Sequence, residues 1–409
     1  MAGLPGPQSP RGEVTLAQAV ALALRRNPDL LAGGYDVVAA EARLTQARLR
    51  PNPELDIEFE NFSGSGERRG SDALETTLSL GQVVELGGKR KLRQEVAQTE
   101  VDSVDVEQRV RELDVLSEVT RRFIDVVAAQ EEVRFAAESL DLSQRTLDAI
   151  SARVVAARSP ESERSRAHIA FMRARLEAQR TESVLRGARV ALASTWGAAT
   201  AEFTAAKADL FDFGSVQNFE QLLALLRRNP NFLRLIADVR LRDAELRLAQ
   251  VQSRPNLSLS LGIRRFNQDG DTALVAGFSM PLPLFDRNQG AIREAQARRT
   301  QSVLQQEAEF TRAAAILYTV YEEMQSVRAG YEVLRTEIQP QAKLALEQTQ
   351  YGYERGRFSF LELIAAQREL VELRQAAIDA AADYHRLLAE LERLTQEPVS
   401  VVGNDGDLP

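Results

Sequence analysis

The chain has 409 residues, of which 44% are hydrophobic, 27% charged and only 6% aromatic, with a net charge of −8 and no cysteine. That acidic balance excludes a nucleic-acid binder. The missing thiols exclude disulfides, thiolate metal sites, thiol catalysis and a lipid-bearing N-terminal Cys. No apolar run approaches the roughly 18 residues of a membrane-spanning helix, and abundant Ala, Leu, Gln, Glu and Arg favour long helices over a compact mixed domain.

Met1 to Gly12 is rich in Pro and Gly and lacks a signal-type apolar segment, so residues 1–13 are expected to be disordered. Read literally, this start implies no export; a trimmed leader or a start assigned too late is the alternative. Thr15 with Gln18 then forms a capping box for a short apolar helix. That helix ends in Arg25-Arg26-Asn27-Pro28 and is followed by an amphipathic helix reaching about Ala47. Arg50-Pro51-Asn52 introduces two segments of period two within residues 53–82: Leu55, Ile57 and Phe59, then Leu74, Thr76, Leu78 and Leu80. Each alternates with polar residues, including Asp56, Glu58, Glu60 and Glu75, as in a strand with one apolar and one polar face. Ser63-Gly64-Ser65-Gly66 supplies the turn between them.

A long helix is expected from about Gly88 to Ala157. Val119, Val126, Val133, Leu140, Leu147 and Val154 recur at strict sevens along it, and a seven-residue repeat implies a left-handed supercoil. Ser159 as N-cap with Pro160 at the first helical position opens its return helix, to about Trp196. Residues 14–217 form the first unit of a duplication, and residues 218–397 repeat it. Arg227-Arg228-Asn229-Pro230 and Arg254-Pro255-Asn256 return in order. Strands within 256–282 follow (Leu257, Leu259, Leu261, Ile263; Leu274, Ala276, Phe278, Met280), joined by Asn267-Gln268-Asp269-Gly270-Asp271. A helix is expected from about Arg287 to Arg355, its start compatible with a capping box of Asp286 and Gln289. Pro340 should kink it, having no N–H for the ladder. Gly356 suits a left-handed C-cap, and Ser359 with Glu362 forms a capping box opening the last helix, Phe360 to Thr395. Two apolar lines on that helix, one through Leu363, Leu370, Ala377, Tyr384 and Leu391, indicate neighbours on two sides. Residues 398–409 are expected to be a flexible tail. The longer helices would each reach roughly 100 Å at 1.5 Å per residue.

Any one hairpin could be an ordinary surface hairpin with a covered apolar face. Here the neighbouring helices are committed to coils, and four strands cannot close a barrel, for which about eight is the practical minimum. If the strands face lipid, several copies must pool them, and a trimer would give twelve.

The duplicated plan of short helix, hairpin and long helix resembles the TolC-type outer-membrane factors of Gram-negative bacteria. Gly87-Gly88-Lys89-Arg90 and Pro281-Leu282-Pro283-Leu284-Phe285-Asp286-Arg287-Asn288-Gln289-Gly290 resemble the heavy-metal efflux branch, the CzcC-like proteins. So does Gly352-Tyr353-Glu354-Arg355-Gly356-Arg357-Phe358-Ser359-Phe360, which resembles that branch's periplasmic turn. The likeness spans roughly residues 14–397. It implies a mainly α fold with β, four strands and long coiled-coil helices per protomer, closing as a homotrimeric α/β barrel with twelve strands in outer-membrane lipid. It implies a passive exit duct, reaching into the periplasm, that takes cargo from an inner-membrane efflux pump through a periplasmic adaptor. The cargo would be heavy-metal cations, or alternatively drugs or a secreted peptide. Residues 198–216 would form part of an equatorial belt. A soluble coiled-coil scaffold is the alternative of a different class.

Glu362 lies where the family places an acidic ring that constricts the tunnel; it is equally the partner of Ser359 in a cap. Three such charges around an axis would attract cations. Arg158, Ser159, Arg355, Gly356, Arg357 and Phe358 form two basic tips, read either as solvated turns or as the surface that docks an adaptor. His168 and His385 are the only histidines, and neither has a second ligand of its kind nearby in sequence, so no metal site is expected. No nucleophile–base pair, P-loop or dinucleotide fingerprint is present. Neither catalysis nor a cofactor is therefore implied.

Overall fold

The computed structural model describes residues 10–396. The expected disordered tail at 398–409, and residues 1–9 of the expected N-terminal disorder, lie outside the described residues. Gly12 and Glu13 correct that expectation locally, because β1 (Gly12–Val14) pairs in parallel with β4 (Phe203–Ala206). The intervening elements are α1 (Leu16–Arg26), α2 (Pro28–Ala47), β2 (Glu54–Glu60), β3 (Glu75–Val84), α3 (Lys89–Val155) and α4 (Glu161–Ser194). After β4 come α5 (Phe219–Leu226), α6 (Pro230–Gln252), β5 (Leu257–Phe266), β6 (Thr272–Ser279), α7 (Gln289–Val333), α8 (Gln339–Glu354) and α9 (Phe360–Thr395).

The chain divides into two compact units, and each takes segments from both sequence repeats. One comprises residues 34–107 and 233–309 and holds the sheet. Its strands run in the order β2-β3-β5-β6, all antiparallel. Leu55 lies opposite Leu80, Leu80 opposite Leu261, and Leu261 opposite Ala276; Ile57, Leu78, Ile263 and Leu274 form the next row. Register therefore places every apolar row on one face, as period two requires. β3 reaches Val84, two residues beyond the expected limit, because Val83 and Val84 still pair with Ser258 and Leu257.

Among the described residues, the other unit comprises 10–33, 108–232 and 310–396. Its principal core joins α1, α3, α4 and α9 to the segment after α4. Val119, Phe123, Val126, Leu192, Trp196, Phe203 and Ala381 are all buried there. Trp196, at the end of α4, packs against Phe203 with ring centroids 6.1 Å apart. The expected belt is thus partly strand. Gln130 of α3 clamps it from both sides, donating to the Ala206 carbonyl (2.9 Å) and accepting from the Ala206 N–H (2.7 Å).

The repeated Arg-Arg-Asn-Pro has a physical reason. Asn27 Oδ1 accepts from the N–H groups of Asp29 and Leu30, capping α2, while Nδ2 donates to the Thr195 carbonyl behind α4. Asn229 does the same in the second repeat, accepting from Asn231 N and donating to the Arg393 carbonyl in α9 at 2.7 Å. Each Asn caps one helix and satisfies a carbonyl at the end of another, and the Pro after it occupies the position whose N–H would be orphaned.

Several local expectations change. Pro160, not Ser159, is the N-cap residue of α4, and Ser159 Oγ instead meets Arg153 and Tyr353. Asp286 accepts from Asn288 N rather than capping through Gln289, and Asn288 turns left-handed (φ 58°) before α7 begins. The long helix of the second repeat is interrupted by a π-helical turn, Leu334–Ile338, immediately before Pro340. Pro cannot donate to the carbonyl four residues back and its ring crowds it; a π-turn, with Gln339 N donating to Leu334 O, absorbs that defect without ending the helix. A capping box of Asn218 and Gln221 opens α5.

Candidate functional site

Both helical hairpins turn within a few residues, and their turns interlock. Tyr353, near the end of α8, is buried and donates from its hydroxyl to Glu163 Oε2 of α4 at 2.9 Å. Ser159 Oγ lies 3.4 Å from the same hydroxyl. The guanidinium of Arg153 sits over the Tyr353 ring at 4.8 Å and donates to the Glu354 carbonyl. Burial pushes the Tyr353 hydroxyl pKa up, so it stays a donor. One aromatic ring thus ties the first turn to the second.

The candidate tip residues divide between holding the turn and facing out. Gly356 adopts φ 70°, which only Gly takes without strain, and lets Arg357 N donate to the Gly352 carbonyl at 2.8 Å. Phe358 folds back on Gly352, where a Cβ would run into its ring. Arg355 stacks over Tyr351 at 3.6 Å. Arg158, Arg357 and the outer edge of Phe358 remain exposed, beside the exposed Val155 and Leu361. Ser159 is half-buried in the Tyr353 network.

Glu362 is exposed on the first turn of α9. Its Oε2 accepts from Ser359 N at 2.6 Å and from Ser359 Oγ at 2.8 Å, completing the expected capping box. These two bonds hold its carboxyl below the ordinary carboxylate pKa, so the charge persists through the neutral range.

In the sheet-bearing unit the apolar face is open. Leu274 and Phe278 are each 81% exposed, and Leu55, Ile57, Phe59, Leu80, Leu261 and Ile263 are exposed beside them. The opposite face is polar. Arg264 there bonds Glu60 (2.7 Å), Glu75 (3.0 Å) and Thr77 (2.9 Å), tying β2, β3 and β5 together through their side chains. β2 and β6 each have one edge with no partner strand among the described residues. A two-sided sheet with an open apolar face is built to meet hydrocarbon on one side and water on the other. No described helix is long and apolar enough to cross a membrane. His385, by contrast, is part of the core: Nε2 lies 2.9 Å from the Leu210 carbonyl, and burial lowers the ring's pKa. Among the described residues no group of three or more His, Cys, Asp or Glu is gathered to hold a metal ion.

The fold is that of solved outer-membrane channels. It is similar to CusC, the subject of crystal structures on folding and transmembrane channel formation, with a TM-score of 0.77 at 18% identity, covering 97% of this chain and 95% of that one. It is also similar to a membrane protein from Pseudomonas aeruginosa, with a TM-score of 0.80 at 19% identity and 96% of both chains covered. The fold so defined is the α/β fold of outer-membrane factors. The sequence profile of the outer membrane efflux protein family matches residues 19–198 and 222–396, and the chain belongs to that family. The two matched stretches fall one in each repeat. Among curated proteins it is 29% identical over 402 residues to the cobalt-zinc-cadmium resistance protein CzcC of Cupriavidus metallidurans, covering 95% of this chain and 91% of that protein.

Proposed function

We propose that the chain is the outer-membrane exit duct of a tripartite efflux system and that its cargo is heavy-metal cations. In this reading three copies close a twelve-stranded barrel in lipid, and the helices carry the duct into the periplasm. An inner-membrane pump of the resistance–nodulation–division type loads it through a periplasmic adaptor. The observation that carries the reading is the sheet of four strands, apolar on one open face and unpaired at both edges. Such edges are a liability in a lone protein, and closure removes them. The likeness to a cobalt-zinc-cadmium resistance protein supports the cargo. A soluble scaffold would leave that face in water.

The purified protein is expected to need detergent and to run as a heat-sensitive trimer that conducts ions in planar bilayers. A well-behaved monomer in plain buffer would end the reading. Supplied to cells that lack their own duct but keep a metal pump and adaptor, it should restore tolerance to zinc, cobalt or cadmium. Restored tolerance to drugs alone would move the cargo and leave the duct.

The tips would be the periplasmic mouth. Arg158, Ser159, Arg355, Gly356, Arg357 and Phe358 would dock the adaptor, and Glu362 would supply the gate charge, three per trimer. Gln still serves a capping box, so Glu362→Gln separates charge from cap. Reduced cation selectivity with an intact fold is the expected result; unchanged conductance and selectivity would remove the gate role.

A further inference from the structure

The two ends of the sheet differ in charge. At the end away from the helices, residues 60–75 and 264–272 carry four Arg against six Asp or Glu, and Arg264 is paired there with Glu60 and Glu75. At the end where the helices join, residues 48–54, 85–93, 249–257 and 280–293 carry nine Arg or Lys against three Asp or Glu, in a chain whose net charge is −8. These four junctions are stitched together at one level. Arg93 pairs with Glu85 (2.6 Å) and donates to the Leu49 carbonyl (3.4 Å), and Lys89 Nζ donates to Asn256 Oδ1 (2.7 Å). Arg254 lies against Gly87, and Asn288 donates to the Ala249 carbonyl (2.7 Å). Among the described residues Arg93 alone of the nine cations has an ion-pair partner. Arg48, Arg50, Lys91, Arg254, Arg287 and Arg293 are exposed, and neither α3 nor α7 has an acid in its first turn. An apolar rim separates this charge from the open face of the sheet. Met280, Leu282 and Leu284 continue in sequence the two-residue phase of Leu274, Ala276 and Phe278, and Val84 and Leu86 continue that of Leu78 and Leu80. Leu282 (70%), Leu284 (64%) and Phe285 (92%) stand exposed on that rim.

We infer that this collar selects anionic phospholipid on the helix side of the bilayer: the apolar rim enters the acyl boundary and the unpaired cations take the headgroup phosphates. The inference rests on the reading of the sheet as lipid-facing, and it adds the headgroup chemistry that the chain selects and the end at which it does so. β3 and β6 stop at Val84 and Ser279, so the next groups along the chain leave the hydrocarbon and meet the headgroups. Arg and Lys lay their methylenes along apolar surface and push the charge outward, and cations next to a membrane are drawn to anionic headgroups. Seven of the nine are Arg, whose planar fork matches a phosphate with two parallel bonds. A zwitterionic lipid brings its own ammonium beside the phosphate and gains less from the collar. A dissolved anion would neutralise the cations but leave Leu282, Leu284 and Phe285 in water. Rim and charge together therefore fit a lipid, and the rim runs on from the face that meets hydrocarbon.

The test titrates the detergent-solubilised full chain with phosphatidylglycerol and, separately, with phosphatidylcholine of the same acyl chains, counting bound lipid by native mass spectrometry. Phosphatidylglycerol should bind at least about tenfold more tightly, with a preference that shrinks as salt screens the collar. Inorganic phosphate at matching concentration should displace none of it; displacement would show a simple anion site and overturn the lipid assignment. The triple variant Lys91→Gln, Arg254→Gln, Arg287→Gln should lose at least about tenfold in phosphatidylglycerol affinity and keep its phosphatidylcholine affinity and its heat-sensitive trimer. Removing the same charge from α4, with Arg166→Gln, Arg173→Gln and Arg175→Gln, should change neither affinity. Phe285→Trp reads the rim without altering charge. In vesicles of brominated phosphatidylglycerol, bromines near the headgroup should quench its fluorescence more than bromines at the chain ends, and absence of quenching would overturn the placement of the rim. An intact trimer that binds both lipids alike, or that loses as much through the α4 variant as through the collar variant, would overturn this inference alone. A monomer in plain buffer that binds neither lipid would overturn both it and the lipid-facing reading.

Discussion

Asn27 and Asn229 show how a single residue type can organise a duplicated chain. Each is a cap with a second task, and each is buried, so neither the freed N–H nor the freed carbonyl would reach water in its absence. Asn229→Ala should destabilise the start of α6 by about 1–2 kcal/mol, read as roughly tenfold faster hydrogen exchange in its first turn. Unchanged exchange there would show the cap to be dispensable. His385 makes the matching prediction for pH. Its folded-state pKa lies below the ordinary value near 6.5, so the unfolded chain takes up a proton first as pH falls. Stability should therefore drop as pH falls through about 6.5, the ordinary value. Asp209 and Asp212 face the ring and oppose the shift. His385→Gln, which keeps a donor for the Leu210 carbonyl, should flatten that slope in thermal melts. Glu362 has the opposite sign: its depressed pKa gives α9 a cap that holds above the ordinary carboxylate range and is lost as pH falls through the folded value.

At the scale of elements, the sheet and the tips were legible to different degrees. Alternation named all four strands and their apolar sides, because period two needs no tertiary information. The face was therefore readable in sequence, whereas the strand order β2-β3-β5-β6, which joins the repeats in the middle and leaves β2 and β6 at the rims, was not. Leu261→Arg, in the middle of that face, should cost about 2–4 kcal/mol in a bilayer, seen as loss of the heat-sensitive trimer. Ser260→Arg, on the polar face, should leave it intact. The tips carried good turn signals at Gly356 and Ser359 and, in the first tip, at Ser159-Pro160, but nothing marked the residue that turns left-handed before Ser159. Ala157 takes the left-handed role there (φ 54°), which no propensity rule would assign to Ala. The tie made by Tyr353 has no local signal, because its partners Glu163 and Ser159 lie about 190 residues away in sequence. Tyr353→Phe removes the hydroxyl and keeps the ring. It should loosen the coupling of the two turns and, in the duct reading, raise single-channel conductance; an unchanged trace would leave Tyr353 as packing alone.

For the whole molecule, the duplication is the governing fact. It predicts two equivalent halves, yet the compact units cut across them, because strands and helices of one half pair with those of the other. Titration of the open faces by lipid or detergent is the corresponding whole-molecule prediction. Detergent removal should aggregate the protein through the sheet, and Leu274→Ser with Phe278→Ser should lessen that aggregation, measured by light scattering. No change would mean that some other surface drives it.

The sequence by itself determined the helices, the strands, the apolar sides and the doubling of the plan. All of these follow from local period and capping chemistry, which act over a few residues. Only the tertiary structure decided that each Arg-Arg-Asn-Pro tethers a distant helix end, that a π-turn absorbs Pro340, that one tyrosine joins the two tips, and which flanks remain uncovered. The π-turn is local, one of several ways a helix can take up a Pro; the other outcomes depend on which surfaces meet across 150 residues or more, and meeting is settled by burial and by satisfying polar groups in three dimensions, for which no local pattern carries a signal.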